Sequence, residues 1–203
     1  MEIYSADLSV KEERQKLFDY TTSNHMIVEN LINNAGFGNA DAYLDTPWEL
    51  QKNMVDINVV ALMHLSHLYG NEMKKRRKGR ILNVASVAAF SAGPYMSVYY
   101  ASKAFVFSLS QAMYEELKGY GVSVTALCPG PTGTNFENTA GLTNSKMFKV
   151  FGVEKADSVV KRGYKGMMRG KAIVYHSKVT YGFNIITRLV SRKCARNIAG
   201  RIN

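Results

Sequence analysis

A chain of 203 residues with 46% hydrophobic and 21% charged residues has the composition of one globular domain with a sizeable core, and excludes a fibrous or low-complexity protein. No apolar run approaches the ~20 residues that span a bilayer, and the amino terminus has neither the basic start nor the apolar stretch of a signal peptide. Two cysteines, Cys128 and Cys194, exclude a disulfide framework, so the expectation is a reduced, cytoplasmic protein. The net charge of +10 is uneven, because all 16 acidic residues lie at or before Asp157 and 11 Lys and Arg follow it unopposed. Such a tail fits an anionic partner, either a lipid surface or nucleic acid, or else a solvated cationic face.

In chain order, short strand-like runs alternate with longer helix-like stretches, which predicts a parallel α/β sheet. Ile3 to Ala6 reads as a short first strand, with Asp7 and Ser9 as turn and helix-cap residues and Lys11 to Thr22 as an amphipathic helix. Val28 to Asn33 is a second strand ending in the glycine-containing turn Asn33-Asn34-Ala35-Gly36-Phe37-Gly38. Thr46 as cap and Pro47 at the first helical position start a long helix that runs to about Met73. Arg80 to Ala85 is a strand, Met96 to Gly119 a long helix, and Val122 to Cys128 a strand. Proline and glycine break the pattern from Pro129 to Thr134; Val153 to Met168 is helical and Ala172 to Tyr175 is a short last strand. Right-handed crossovers put the strand ends on one edge, where open α/β sheets bind ligands. Asp7, Asn33 to Gly36, Ser86 and Pro129 to Thr134 all fall at such ends.

Tyr99 and Lys103 are one helical turn apart, on one face. A nearby ammonium favours the phenolate, and a pKa drop of about three units corresponds to roughly 4 kcal/mol. A tyrosine tuned in this way can protonate a carbonyl oxygen or deprotonate an alcohol. Ser86, at a strand end thirteen residues earlier, can hydrogen-bond the same oxygen. The spacing alone also arises from a core tyrosine beside a surface lysine; Ser86 is what favours the chemical reading. His64 and His67 share an i, i+3 spacing but have no third ligand near in sequence, so no metal site is expected.

With these residues in hand, the chain resembles the short-chain dehydrogenase/reductase family. The resemblance rests on Asn33-Asn34-Ala35-Gly36, Asn58 in Asp56-Ile57-Asn58-Val59, Ser86 in Asn83-Val84-Ala85-Ser86, Tyr99 with Lys103, and Pro129-Gly130 with Thr134, and it covers residues 1 to about 176. It implies a Rossmann-like doubly wound parallel sheet and an oxidoreductase that uses NADP or NAD, NADP slightly favoured, on a small carbonyl or alcohol substrate. By the same resemblance Tyr99 is the general acid/base, Ser86 orients the substrate oxygen, and Lys103 holds the nicotinamide ribose. Asn58 holds a relay water, Asp7 contacts the adenine, and Asn34, Ala35 and Gly36 line the adenosine side. Pro129, Gly130, Thr132 and Thr134 hold the nicotinamide end. Homo-oligomers built on the two long helices are usual in the family.

The family's opening strand and Thr-Gly-x-x-x-Gly-x-Gly turn have no counterpart before Asp7, so the expectation is an N-terminally truncated form of a longer protein, with its start at an internal methionine. The alternative expectation is an inactive binding or interaction module. Residues 135 to 150 sit where the family covers its substrate, and Phe136, Leu142, Met147, Phe148 and Val150 suggest an apolar substrate, though core packing explains them equally well. A domain over residues 1–177 is followed by a basic amphipathic tail over 178–203. There Val179, Phe183, Ile186, Leu189, Val190 and Ile198 roughly follow helical spacing among Arg188, Arg192, Lys193, Arg196 and Arg201. That pattern fits a helix on an anionic membrane surface or one lipping the substrate pocket, with a lipid-like substrate and no nucleic acid.

Overall fold

A computed structural model of the chain describes residues 2–136, 140–141 and 151–202. Its elements begin with α1 (Lys11–Ser23), β1 (Asn30–Asn33) and α2 (Trp48–Val55), which passes through a π-helical turn (Asp56–Ala61) into α3 (Leu62–Arg76). Then come β2 (Gly79–Val84), a 3₁₀ turn (Val87–Phe90), α4 (Ser97–Leu117), β3 (Val122–Cys128) and the short β4 (Thr132–Gly133). The chain closes with β5 (Glu154–Lys155), α5 (Ala156–Met168), β6 (Ile173–Tyr175), α6 (Lys178–Leu189) and α7 (Arg192–Ile202).

The main sheet has the order β1-β2-β3-β6, with every pair parallel. Consecutive strand residues point to opposite faces, and β2 displays this directly. Ile81 packs with Leu65, Tyr69 and Met73 of α3, whereas Leu82 packs with Val159 and Met167 of α5. Helices therefore cover both faces, as a doubly wound α/β fold requires. On the α5 side the approach is close. A Cβ at Gly163 would lie 2.7 Å from Leu127 Cδ2, and one at Gly166 would collide with Val174 Cγ2. A small second sheet pairs Thr132 with Glu154 and Gly133 with Lys155.

Several elements differ from the sequence expectations. Ile3 to Ala6 forms no strand, because a strand exists only through its ladder and this segment pairs with no neighbour among the described residues. It is held instead by Tyr4, whose ring centroid lies 4.8 Å from that of Tyr20 on α1. Asp7 does not cap α1: its carboxylate accepts from Ser9 N (2.9 Å) and Ser9 Oγ (2.7 Å) in a local turn, and the cap position is Val10. Thr46 likewise turns back, donating to Ala42 O, and leaves Pro47 at the cap. The basic tail is two helices rather than one, broken at Val190 and Ser191 where the backbone becomes extended. Thr180, Asn184, Ala195 and Ala199 of these helices are buried against the rest of the molecule.

Candidate functional site

The carboxyl ends of β1, β2 and β3 open on a cavity of about 330 Å³. Asn34 and Gly36 reach it from the turn after β1, Ser86 from the turn after β2, and Tyr99 and Lys103 from α4. Pro129, Gly130, Thr132 and Thr134 form the wall after β3, while Met96, Phe136, Val159 and Val160 supply apolar surface. Asp7 and Ala35 do not line this cavity. Leu142, Met147, Phe148 and Val150 lie outside the described residues.

Ser86 ends β2 in extended backbone; its Oγ accepts from Ala88 N at 3.1 Å and hydrogen-bonds the Tyr99 hydroxyl. Lys103 Nζ donates to Val84 O at 2.8 Å and sits 5.8 Å from the Tyr99 ring centroid. An ammonium carries three donors, so the one spent on Val84 leaves two for a ligand in the cavity. Burial pushes the Tyr99 phenol up to about 12, with the Ser86 hydrogen bond acting against that rise and Tyr100 adding to it. Burial also pulls Lys103 down to about 8. The expected lysine-lowered phenol is thus not what this geometry gives: desolvation of the ring is the largest cause of the shift, and Lys103 is not among the groups that lower it. Tyr99 therefore keeps its proton at neutral pH.

Asn58 lies in the π turn, where an extra residue commonly marks a functional position. It is 1% exposed, and its amide pairs with both backbone groups of Phe37: Phe37 N donates to Oδ1 (3.0 Å), and Nδ2 donates to Phe37 O (2.9 Å). Nδ2 also donates to Ser102 Oγ (3.1 Å), whose hydroxyl in turn donates to Tyr99 O (2.7 Å). One side chain thus ties the turn after β1 to the helical turn that carries the tyrosine. A Cβ on Gly36 would stand 2.8 Å from Asn58 Oδ1 and 3.5 Å from Lys103 Nζ. Glycine is needed there for the asparagine to fit. Ser102 was not singled out in the sequence, and its position between Tyr99 and Lys103 was the available signal.

Two further arrangements had no sequence signal. Asn33 Nδ2 donates to Asn83 Oδ1 (2.8 Å) and Ser66 Oγ (2.9 Å), and Asn83 Nδ2 donates to Ser110 Oγ (3.0 Å). These four buried polar side chains join β1, β2, α3 and α4 directly beneath the cavity. Directly after β6, buried His176 shares a hydrogen bond with Ser158 Oγ (3.2 Å), and its Nδ1 lies 3.3 Å from Glu154 Oε1, off line for a hydrogen bond. This contact steadies β5, and β5 in turn pairs with the cavity-lining Thr132.

The cavity suits a dinucleotide's nicotinamide end, with a donor-rich polar wall at Lys103, Tyr99 and Ser86 opposite a Pro-Gly loop. Among known proteins, the family model for short chain dehydrogenases matches residues 1–139. The probable oxidoreductase EphD of Mycobacterium tuberculosis is 32% identical over 139 residues, 68% of this chain but only 24% of that protein. The 17-beta-hydroxysteroid dehydrogenase type 3 of Mus musculus is 34% identical over 138 residues, 66% of this chain and 42% of that protein. Among solved structures, a short-chain dehydrogenase from Sphingobium yanoikuyae in complex with NADPH superposes with a TM-score of 0.77 at 26% identity, covering 91% of this chain and 72% of that one.

Proposed function

The chain belongs to the short-chain dehydrogenase/reductase family, and from that premise we propose that it moves hydride between a nicotinamide cofactor, NADP or NAD, and a small carbonyl or alcohol substrate. The observation that carries the reading is the meeting of Ser86, Tyr99 and Lys103 on one wall of a cavity at the sheet's carboxyl edge. When bound, the nicotinamide supplies the hydride. Lys103, with two donors still unspent, holds the ribose hydroxyls, and Pro129, Gly130, Thr132 and Thr134 hold the nicotinamide end. Asn34, Ala35 and Gly36 belong to the adenosine side, and Asp7 to the adenine beyond the cavity.

Tyr99 is protonated at neutral pH, so it serves as the acid that delivers a proton to the carbonyl oxygen during reduction, and as the base in reverse. Ser86 donates to the same oxygen and fixes its place. Asn58 acts through what it holds, Phe37 and Ser102, and its Oδ1 keeps a lone pair for a relay water. Met96, Phe136, Val159 and Val160 favour an apolar, lipid-like substrate, as does the similarity to a hydroxysteroid dehydrogenase. The same reading makes the protein a cytoplasmic homo-oligomer whose basic carboxyl-terminal helices meet an anionic membrane surface.

The test follows NADPH oxidation with bulky apolar ketones by absorbance, alongside NADPH binding. Tyr99→Phe is expected to cut turnover by about 10²–10⁴-fold with nucleotide binding retained. Nucleotide binding with no turnover of any ketone, indifferent to Tyr99→Phe, would replace the oxidoreductase with a binding module.

A further inference from the structure

Helix α6 is built inside out. Its buried positions include Thr180 (1% exposed) and Asn184 (6%), spent on Ser177 Oγ and on Tyr175 OH, while Phe183 packs on Phe151 and the Tyr181 ring stands edge-on to Tyr175. From the half-exposed Tyr181, Ile185 and Leu189 continue outward at a spacing of four, and the three are 52%, 36% and 80% exposed. An apolar stripe turned to water is stabilised only by something outside the molecule.

Beside that stripe runs a groove of about 960 Å³ between α5, the outer edge of β6 and the start of α6. Seven cations line it: Lys155 from β5, Lys161, Arg162 and Lys165 from α5, Arg169 at its carboxyl cap, Lys171 ahead of β6, and Lys178 from α6. Among the described residues only Lys161 has a carboxylate partner, Asp157 at 3.1 Å. The α5 dipole favours cations in its last turn, which accounts for Lys165 and Arg169 but not for Lys171 or Lys178 on other elements. Tyr181 lines the groove and begins the apolar stripe, so the two surfaces are continuous. The other side of α5 presents Ala156, Val159 and Val160 to the catalytic cavity.

We propose that the groove and the α6 stripe together form a docking surface for an anionic lipid bilayer, with lipid phosphates among Lys165, Arg169, Lys171 and Lys178 and with Tyr181, Ile185 and Leu189 in the acyl boundary. Nucleic acid would use the cations and leave the stripe in water; a protein partner would cover the stripe without needing six cations that lack a carboxylate. A bilayer uses both. The inference rests on the reading that the basic end of the chain meets a membrane, and it moves the electrostatic contact from the tail to the α5 groove.

The test is co-sedimentation with phosphatidylcholine vesicles with and without phosphatidylserine, at low and high salt. The full chain is expected to sediment only with phosphatidylserine present and to be released by salt. Each neutralised cation weakens binding about fivefold, so Lys165→Gln with Arg169→Gln is expected to lose roughly 25-fold. Ile185→Ser with Leu189→Ser is expected to weaken binding as well; all four positions are exposed, and unchanged melting curves establish that the variants fold. If the parent binds these vesicles and both double variants bind as it does, the docking surface is overturned while the membrane reading stands. If the parent binds no anionic vesicle, both fall. Retention on duplex DNA that ignores the stripe variants would assign the groove to nucleic acid instead. Lipid-free self-association lost in Ile185→Ser with Leu189→Ser would assign the stripe to a second copy.

Discussion

Around Asn33, Asn58 and Asn83 the protein buries polar side chains and answers each with a partner from another element, whereas along α5 and α6 it turns cations and large apolar groups outward and leaves most of them unanswered. The first region is specified entirely from within, since a buried amide without its partner costs about 1–3 kcal/mol and the four elements that meet there admit one arrangement. The second contributes little to folding, because exposed cations and side chains in water gain nothing from the native state. The contrast separates residues that position the cavity wall from residues whose use lies beyond the molecule.

The sharpest way to break this contrast is Asn83→Ala. It removes both hydrogen bonds of a fully buried amide and leaves a hole beneath the cavity, so the expected loss is about 4 kcal/mol in urea denaturation. A variant that unfolds at the parent's midpoint would mean that the polar network contributes nothing to stability.

The next effect is a pH dependence. Burial lowers Lys103 from an ordinary 10.5 to about 8, so between those values the unfolded chain still holds a proton that the folded chain has released. Lys103 alone therefore adds stability as pH rises across that window, by on the order of 3 kcal/mol. Cys128 opposes this above its ordinary 9 and Tyr99 above its ordinary 10, because burial raises both groups and lets the unfolded chain lose those protons first. Denaturation midpoints should therefore level off above about pH 9 and fall above about 10, and Lys103→Met should flatten the climb between pH 8 and 9. A parent profile already flat over this range would contradict the burial of the ammonium.

The smallest effect belongs to the outer region. Leu189→Ser is expected to change stability by no more than about 0.5 kcal/mol, although a leucine is lost. A larger destabilisation would make α6 part of the core and sharpen the boundary between the two regions.

How much of this was legible in the sequence follows the same division. Val122–Cys128 and the two helices around Lys11 and Tyr99 could be read closely, because a buried strand and amphipathic stripes declare themselves by period. Ser86, Tyr99 and Lys103 could be read from spacing, and the fold brings them to one wall. Ile3 to Ala6 could not be read, since pairing depends on a neighbour that composition does not reveal. The Asn33–Asn83 contact joins residues fifty positions apart, and the His176–Glu154 contact needs β5, a two-residue strand below any sequence signal. The basic tail was visible as charge, but its strongest cationic surface lies earlier, on α5, where the groove exists only after folding.

The π turn at Asp56–Ala61 makes this helix intolerant of editing by length. One extra residue sets α2 and α3 out of phase by about 100°. Removing a single residue would yield a smoother, more regular helix, the kind of idealisation that usually improves a scaffold. Here it would either swing the Asn58 amide off Phe37 or rotate Leu65, Tyr69 and Met73 away from Ile81. The segment behaves like a key cut to two locks, in which the irregularity is what lets one rod fit both, so sequence drift there can proceed by substitution but not by insertion or deletion.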